Sequence, residues 1–108
     1  MKRGAIVVAV LPGDFGKPRP ALVIQAGSFN ENHASITVLP ITSAVIDAPV
    51  FRVTVDPSPA NGLKKLSQIM IDKAISVRCE RIGSAIGDAG DECMVRVTRA
   101  LAVWLGIA

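Results

Sequence analysis

An arginine held between two prolines is the residue pattern in this chain best suited to chemistry. The segment Pro18-Arg19-Pro20 leads directly into an apolar run over residues 21–24, which we expect to be a buried strand. Proline fixes φ and has no N–H, so both prolines stiffen the chain around Arg19 and keep it out of a helix. The guanidinium keeps its charge at any physiological pH. Arg19 is therefore predicted to be a fixed cation at the start of a strand, suited to a phosphate; a loop arginine before an edge strand is the alternative.

Other polar side chains fall at the ends of predicted strands or along them. They are Thr42, Ser43, Lys64, Lys65, Gln68 and Asp72. Hydroxyl and amide groups can orient a bound oxyanion, and ammonium groups attract it as point charges. Each group also has a simpler interpretation, because a Thr-Ser pair is common in turns and paired lysines are common in solvated loops. Asp72 with Lys73 could be a solvated pair at a strand end.

Familiar catalytic motifs do not occur in the sequence. There is no HExxH, no phosphate-binding glycine loop, no GxSxG and no paired-carboxylate motif. The single histidine, His33, lies in a polar stretch that is typical of a loop. The two cysteines, Cys79 and Cys93, form no CxxC motif and have no accompanying histidine ligands, so neither a metal site nor a cofactor is expected and a disulfide is not favoured.

Composition narrows the class of protein. The 108 residues predict a single domain over 1–108, and half of them are hydrophobic, but no apolar run approaches the ~20 residues of a membrane span. We expect a soluble, cytoplasmic protein. A net charge of +3 fits an anionic partner, either nucleic acid or an acidic protein. With 4% aromatic residues and no tyrosine, an aromatic stacking platform for single-stranded nucleic acid is not expected. The high apolar fraction indicates a shared oligomer interface.

Short apolar and alternating runs predict a small antiparallel barrel. The predicted strands cover residues 6–11, 21–25, 35–41, 51–55, 67–72 and 75–77, with Pro40 marking the edge or end of its strand. Residues 27–32 are predicted to be a polar loop and 79–81 a helical turn, and the pattern over 82–86 is ambiguous.

The pattern changes to a helix near residue 91. Met94, Val97, Leu101 and Trp104 recur at spacings of three and four. Asp88 or Asp91 is predicted to cap its start, and Gly106 to end it. The predicted fold class is therefore mainly β or α+β, a small antiparallel barrel with one C-terminal helix.

In the order and spacing of its segments, the chain resembles the MazF/PemK-type (Kid-like) toxins of type II toxin–antitoxin systems. The resemblance runs through residues 3–7, 16–24, 39–43, 62–73, 80–83 and 96–101. The Pro-Arg-Pro start of the second strand is its most specific part.

The resemblance implies an SH3-like barrel of the CcdB/MazF type, a homodimer and inhibition by an acidic antitoxin protein. It also implies metal-independent, sequence-selective cleavage of single-stranded RNA by attack of the 2′-OH, and hence growth inhibition. Catalytic roles would fall on Arg19, Thr42 and Asp72. Contacts to RNA would fall on Lys17, Ser43, Lys64, Lys65 and Gln68.

Two departures leave the general base and acid open. The loop before the Arg-Pro step is short and offers only Asp14 and Lys17, where some members have a histidine or glutamate. Met70 stands where some members have an arginine.

Two other functions fit the same fold. A CcdB-like gyrase poison would cut nothing and would depend on the end of the helix, where Trp104 to Ile107 stand. We favour Trp104 as a core or dimer-interface residue instead. A toxin homologue without activity is the remaining alternative.

Overall fold

A computed structural model describes residues 1–107. Within those residues, seven strands and two helices follow one another along the chain. They are β1 (Ala5–Val10), β2 (Pro18–Val23), α1 (Gly27–Asn30), β3 (Ser35–Thr42), β4 (Arg52–Val55), β5 (Ser67–Met70), β6 (Ile75–Arg78), β7 (Ile82–Asp88) and α2 (Asp91–Leu105). Short 3₁₀ turns at Ile71–Lys73 and Cys79–Arg81 flank β6.

The strands form one antiparallel sheet organised around β3. The order across the sheet is β4-β5-β3-β2-β1-β7, and β6 pairs with β3 off this path. On one flank, β3 pairs with β2 over residues 38–40. On the other flank its first half pairs with β6 over residues 35–38, and its end pairs with β5 at residues 41–42. The sheet must bend strongly to serve both partners, and the predicted α+β class with a C-terminal helix is confirmed.

Apolar side chains are buried on both faces of this sheet. The first core contains Ala5, Val7, Ala9, Leu11, Ala21, Val23, Ile36, Val38 and Val77. The second contains Ile6, Leu22, Leu39, Ile41, Val53, Leu63, Ile69, Ile71 and Val97. Alternate residues of a strand point to opposite faces, so strands buried on both faces need uninterrupted apolar runs. This requirement explains the runs in β1 and β2.

Pro40 does not mark the end of its strand, because β3 continues to Thr42, but it does lie at an edge that is locally unpaired. It lies inside β3, opposite Ala21 of β2. The carbonyl of Thr37 accepts hydrogen bonds from the N–H groups of Ile24 and Gln25, which follow β2 in the chain, so residue 37 faces the β2 flank. Peptide groups alternate between the two flanks along a strand, and the nitrogen of residue 40 therefore faces the opposite flank. On that flank β6 pairs only up to Val38 and β5 only from Ile41, which leaves residue 40 without a ladder partner. A missing N–H therefore costs nothing at Pro40.

Several predicted boundaries shift in ways that affect the site. Strand β2 begins at Pro18 rather than at residue 21, so Arg19 lies inside the strand. Strand β5 ends at Met70, and Asp72 lies on the following 3₁₀ turn instead of on the strand. The ambiguous run from residue 82 is a full strand, β7. Residues 27–30 of the predicted loop form one helical turn.

Helix α2 covers the second core through Val97 and ends, as predicted, at Gly106 with φ of 74°. Its start differs from the prediction, because Gly90 precedes it and no side chain caps it. Instead, the carboxylate of Asp88 accepts a hydrogen bond from the Gly90 N–H at 2.8 Å and pairs with Lys2 at 3.0 Å. These two contacts lower the pKa of Asp88, the Gly90 bond being the larger cause.

The loop over residues 56–66 closes against β7. The N–H of Asp88 donates to the carbonyl of Ala60 at 2.9 Å. A Cβ at Gly87 would collide with the backbone of Asn61, and a Cβ at Gly62 would collide with that of Ile86. Glycine is required at both positions for this close approach. In the part of the chain that the structure describes, no helix is long and apolar enough to span a membrane.

Candidate active site

Arg19 is fixed by the way β2 joins the sheet. The carbonyl of Val23 accepts a hydrogen bond from the N–H of Gly4, the residue before β1. Because peptide groups alternate between the two flanks of a strand, all odd-numbered residues of β2 direct their peptide groups toward β1. Arg19 lies opposite Ala9 in that ladder. The nitrogens of Pro18 and Pro20 face the other flank, where β3 pairs only from Ala21 onward. The prolines therefore stand where no donor is needed, and they stiffen the backbone on both sides of Arg19.

The side chain of Arg19 is half-exposed and is held by one carboxylate. Its Nε lies 3.2 Å from Oδ1 of Asp14, which belongs to the loop between β1 and β2 (residues 11–17, hereafter the β1–β2 loop). This contact uses the Nε edge of the guanidinium. The terminal amino groups remain available for a bidentate contact with a phosphate.

Thr42 lies at the end of β3 and offers a hydroxyl with a defined role. Its Oγ1 accepts a hydrogen bond from the N–H of Ala44 at 3.0 Å. A hydroxyl carries one donor and two acceptor positions, so the O–H of Thr42 remains free to donate. The bond to Ala44 also orients the oxygen, and the free donor can bind an anionic oxygen.

Arg19 and Thr42 together form the shared wall of two cavities. The first, of about 430 Å³, is lined by Asp14, Met70 and Lys73 and is called the Asp14 lobe. The second, of about 400 Å³, is called the lysine lobe. Its lining includes Ser43, Gly62, Lys64, Lys65 and Ile86. Because Arg19, Ile41 and Thr42 line both lobes, the lobes form one groove with the arginine at its midpoint.

Charge along the groove is predominantly positive. Of the residues that line it, Arg19, Lys64, Lys65 and Lys73 are cationic and Asp14 is anionic. Ammonium and guanidinium groups spread over two adjoining lobes can neutralise several phosphates of one chain. Single-stranded nucleic acid presents phosphates in that way.

Comparison with known proteins identifies the family of the chain. Residues 2–105 match the family model described as PemK-like, MazF-like toxin of type II toxin-antitoxin system. A curated relative from Mycolicibacterium smegmatis, named probable endoribonuclease MazF, is 44% identical over 109 residues. The alignment covers 100% of this chain and 99% of that relative. The chain belongs to the PemK/MazF-like toxin family.

Solved structures agree with this family fold. The Mycobacterium tuberculosis toxin MazF-mt6 superposes with a TM-score of 0.83 at 24% identity, covering 96% of this chain and 98% of that one. A MazE–MazF complex from Deinococcus radiodurans gives a TM-score of 0.82 at 24% identity, with coverage of 100% and 98%.

Five of the site residues predicted for a PemK/MazF-like toxin come together in the groove. They are Arg19, Thr42, Ser43, Lys64 and Lys65. Lys17 belongs to the β1–β2 loop but lines neither lobe. Gln68 and Asp72 also lie outside both linings. The sheet thus gathers the side chains from the ends of β2 and β3 and from the loop that precedes β5.

Gln68 is buried, and its side chain is hydrogen-bonded within the chain. Only 3% of the residue's surface is exposed to solvent. The amide oxygen accepts from the N–H of Ile46 and from Arg52, and the amide nitrogen donates to the carbonyl of Ile46 and to Thr54. These bonds tie the chain after β3 to β4 and β5. The predicted contact between Gln68 and RNA would require breaking them.

Asp72 adjoins the groove without lining it. Its side chain is 18% exposed, and Oδ2 lies 4.0 Å from Nζ of Lys73, which does line the Asp14 lobe. Its Oδ1 is buried and has no hydrogen-bond partner among the described residues. Asp72 therefore lies beside the groove, next to a lysine that lines it.

Two charged residues of the groove were not among the predicted site residues. Asp14 and Lys73 both line the Asp14 lobe. The sequence signal for Asp14 is a turn, Pro12-Gly13-Asp14, that leads back toward Arg19. Lys73 has no such signal in the sequence, because the strand predicted over residues 67–72 conceals the 3₁₀ turn that carries it.

The cysteines lie outside the groove. Burial raises the pKa of Cys93, so its thiol is a poor nucleophile at neutral pH. Over residues 1–107, no three or more His, Cys, Asp or Glu side chains form a cluster that could hold a metal ion.

Proposed function

We propose that this chain is a toxin endoribonuclease that cleaves single-stranded RNA, including mRNA in the cytoplasm, by attack of the ribose 2′-OH on the adjacent phosphate. The observation that supports this most directly is the pairing of a rigid, partly exposed Arg19 with the Thr42 hydroxyl on the shared wall of a cationic groove. The match to a PemK/MazF-like family model and a 44% identical relative named probable endoribonuclease supports the reaction class.

The reaction needs few groups from the protein because RNA supplies its own nucleophile. The 2′-oxygen forms a bond to phosphorus, the bond to the 5′-oxygen breaks, and a 2′,3′-cyclic phosphate and a 5′-hydroxyl remain. The negative charge on the phosphoryl oxygens grows in the transition state. Preorganised donors aimed at that charge lower the barrier. The free edge of Arg19 and the O–H of Thr42 are such donors.

Proton transfer is the weak step in this groove. A proton must leave the 2′-OH, and another must reach the departing 5′-oxygen. No histidine lines the groove, and Asp14 is its one carboxylate among the residues the structure describes. A well-placed acid or base contributes roughly 10²–10⁴-fold. We therefore expect a slow enzyme, which suffices where cutting a message once inactivates it.

Substrate binding is assigned to the lysine lobe. Ser43, Lys64 and Lys65 lie on one side of Arg19 and would contact phosphates that flank the scissile one. Lys17 in the β1–β2 loop would add a peripheral cation. Affinity should then fall steeply with salt, since neutralised phosphates release their counterions.

We also propose a homodimer that an acidic antitoxin inhibits. Helix α2 exposes the apolar side chain of Val95 and, at its C-terminal end, those of Val103, Trp104 and Leu105. A second copy of the chain would bury them. A carboxylate-rich, flexible segment of an antitoxin suits the same cationic groove as RNA, and it would inhibit by occupying the substrate path. The Deinococcus radiodurans MazF relatives were crystallised with MazE, which supports this assignment.

The test is incubation of the purified protein with a long unstructured RNA in EDTA, with cut sites mapped by primer extension. We expect cleavage at a restricted set of sequences. Arg19→Ala should abolish it while the melting temperature stays within a few degrees, and Arg19→Lys should not restore it because the fork is lost.

Arg78→Ala is the matched control, because Arg78 is an exposed arginine on β6 that pairs with Glu80 and lies outside the groove. It should cleave like the wild type. Full cleavage by Arg19→Ala would refute the assignment, and no cleavage by the wild type on any RNA would identify an inactive homologue.

A further inference from the structure

The tip of the β1–β2 loop presents a fully exposed aromatic ring. Phe15 is 99% exposed, the largest value among the exposed large hydrophobic residues. Its φ is +53°, and it is the only non-glycine residue with positive φ in the part of the chain that the structure describes. Gly13 and Gly16 on either side also have positive φ, at +87° and +80°.

Folding gives no reason for phenylalanine at this position. A bulky side chain in the left-handed region is strained, and glycine would adopt the same backbone without cost. Full exposure of an aromatic ring also forgoes the free energy of burial. Strain of this kind is concentrated at functional sites, where the surroundings maintain it. The ring at Phe15 is therefore expected to serve a contact outside this chain.

The loop is tied to the groove at the residue next to Phe15. Asp14 is ion-paired with Arg19, and its carbonyl accepts from the N–H of Lys17 at 3.0 Å. The N–H of Asp14 donates to the carbonyl of Leu11 at 3.2 Å. These contacts hold the turn, so the backbone of Phe15 directly follows a residue that lines the Asp14 lobe.

We propose that Phe15 stacks on a nucleobase of single-stranded RNA bound in the groove, next to the phosphate held by Arg19. The proposal rests on the proposed function for the substrate class, and adds a base-binding site to it. Unstacked bases of single-stranded RNA dock on aromatic side chains, and any base offers a π-face. One ring beside one phosphate site needs no platform of several aromatics, so the low aromatic content is compatible with it.

The surroundings of Phe15 favour RNA over a protein partner. Within residues 13–17 it is the only large apolar side chain, and Lys17 and Arg19 follow it. Protein interfaces usually anchor an aromatic residue in a patch of other apolar groups. An isolated ring followed in the chain by two cations, one of them Arg19 in the groove, matches a nucleotide, whose base is planar and whose phosphate is anionic.

The test measures binding of a fluorescein-labelled, mixed-sequence RNA of about 12 nucleotides, a length in the range of single-strand binding grooves. The RNA carries 2′-O-methyl groups throughout, so that it cannot be cut. Phe15→Ala should weaken binding by about 5- to 150-fold, the range for loss of one stacked base. Phe15→Leu, which keeps apolar area without a π-face, should fall nearly as far, and Phe15→Trp should bind at least as tightly as the wild type.

Two controls separate stacking from other causes. Phe29→Ala removes a second exposed phenylalanine, 61% exposed on α1 and outside the groove, and should leave RNA affinity unchanged. The slope of log affinity against log salt should be the same for Phe15→Ala and wild type, because no phosphate contact is lost, whereas Lys64→Ala should reduce it by about 0.7. In a series of probes that each carry one abasic nucleotide at a different position, only one position should make the wild type and Phe15→Ala bind equally.

The outcomes distinguish this proposal from the proposed function. Normal cleavage together with unchanged affinity in Phe15→Ala would overturn the stacking contact and leave the nuclease assignment intact. If the wild type cut no RNA and Phe15→Ala still lowered RNA affinity, the result would support the stacking contact and refute the nuclease assignment. If Phe15→Ala bound RNA normally and lost affinity only for an acidic antitoxin segment, the ring would belong to a protein contact and the stacking proposal would be wrong.

Discussion

Oδ1 of Asp14 lies 3.2 Å from Nε of Arg19. Among the residues that the structure describes, Asp14 is the one carboxylate that lines the groove, and it is paired with the arginine at the groove's midpoint. The pair joins the β1–β2 loop to β2 and holds the guanidinium from its Nε edge. It also places a negative charge where a phosphate must bind. Orientation favours the transition state, and the charge opposes substrate binding, so the two effects of Asp14 should separate in kinetics.

Asp14→Asn should lower kcat and leave RNA binding equal to or tighter than that of the wild type. The amide oxygen still accepts from Arg19, but the charge-assisted bond is lost, which we expect to slow cleavage roughly tenfold. Asp14→Ala should be slower still. Single-turnover cleavage and probe binding measure the two effects separately, with Asp47→Asn, a site outside the groove, as the control. Weaker binding with unchanged kcat would show that Asp14 contacts the RNA and does not position Arg19.

Gln68→Ala should destabilise the fold and leave cleavage by the folded protein unchanged. The substitution strips buried partners from Ile46 and Arg52, and unsatisfied groups of this kind predict a loss of about 2–4 kcal/mol. Denaturant unfolding measures it. The double variant Lys64→Ala/Lys65→Ala should show the opposite pattern, with normal stability and raised KM. A stable Gln68→Ala protein with weakened RNA binding would restore the predicted RNA contact.

The contrast between Arg19 and Gln68 shows how far the sequence could be read. Arg19, Thr42 and the two lysines could be predicted because rigid strand starts, strand ends and basic loops leave local signals. Whether a polar residue on a strand faces the groove or the interior depends on the bend of β3 and on which strands pair with each half of it. Gln68 points inward for that reason. Asp72 was misplaced because the chain leaves β5 at Met70 for a 3₁₀ turn, which the apolar run through Ile71 conceals.

Trp104→Ala should lower the free energy of unfolding by less than the replacement of a fully buried tryptophan would. The ring is 48% exposed and packs at 5.9 Å, tilted by 56°, against Phe51. About half of the usual 3–5 kcal/mol is expected for the isolated chain, or roughly 1.5–2.5 kcal/mol. If α2 lies in a dimer interface, the loss grows and depends on protein concentration.

Sedimentation in about 0.15 M salt should show twice the 11.3 kDa chain mass for the wild type and a larger monomer fraction for Trp104→Ala. A strictly monomeric wild type with full cleavage would contradict the dimer. A stable Trp104→Ala dimer that cleaves RNA but is no longer toxic would favour a gyrase-type target.

The free energy of unfolding should fall in acid, partly because the carboxylate of Asp88 becomes protonated. Its pKa is lowered, mainly by the Gly90 N–H and then by Lys2, so folding favours the ionised form. The contribution is fully present above the ordinary pKa of 3.8 and is lost as the pH falls through the lower, folded value. Asp88→Asn should therefore melt slightly below the wild type near neutrality, the effect being small because the carboxylate is partly exposed. The two melting curves should converge in strong acid; a constant difference at every pH would contradict the ionic origin.

Attack by the 2′-OH is the central claim, and one substrate tests it most directly. An RNA spanning a mapped cut is prepared with a single 2′-deoxynucleotide on the 5′ side of the scissile phosphate and is incubated with the protein in EDTA beside the all-RNA control. The account predicts that the control is cut to 2′,3′-cyclic phosphate or 3′-phosphate ends and that the deoxy substrate stays intact. Cleavage of the deoxy substrate, or 3′-hydroxyl ends on the control, would contradict it.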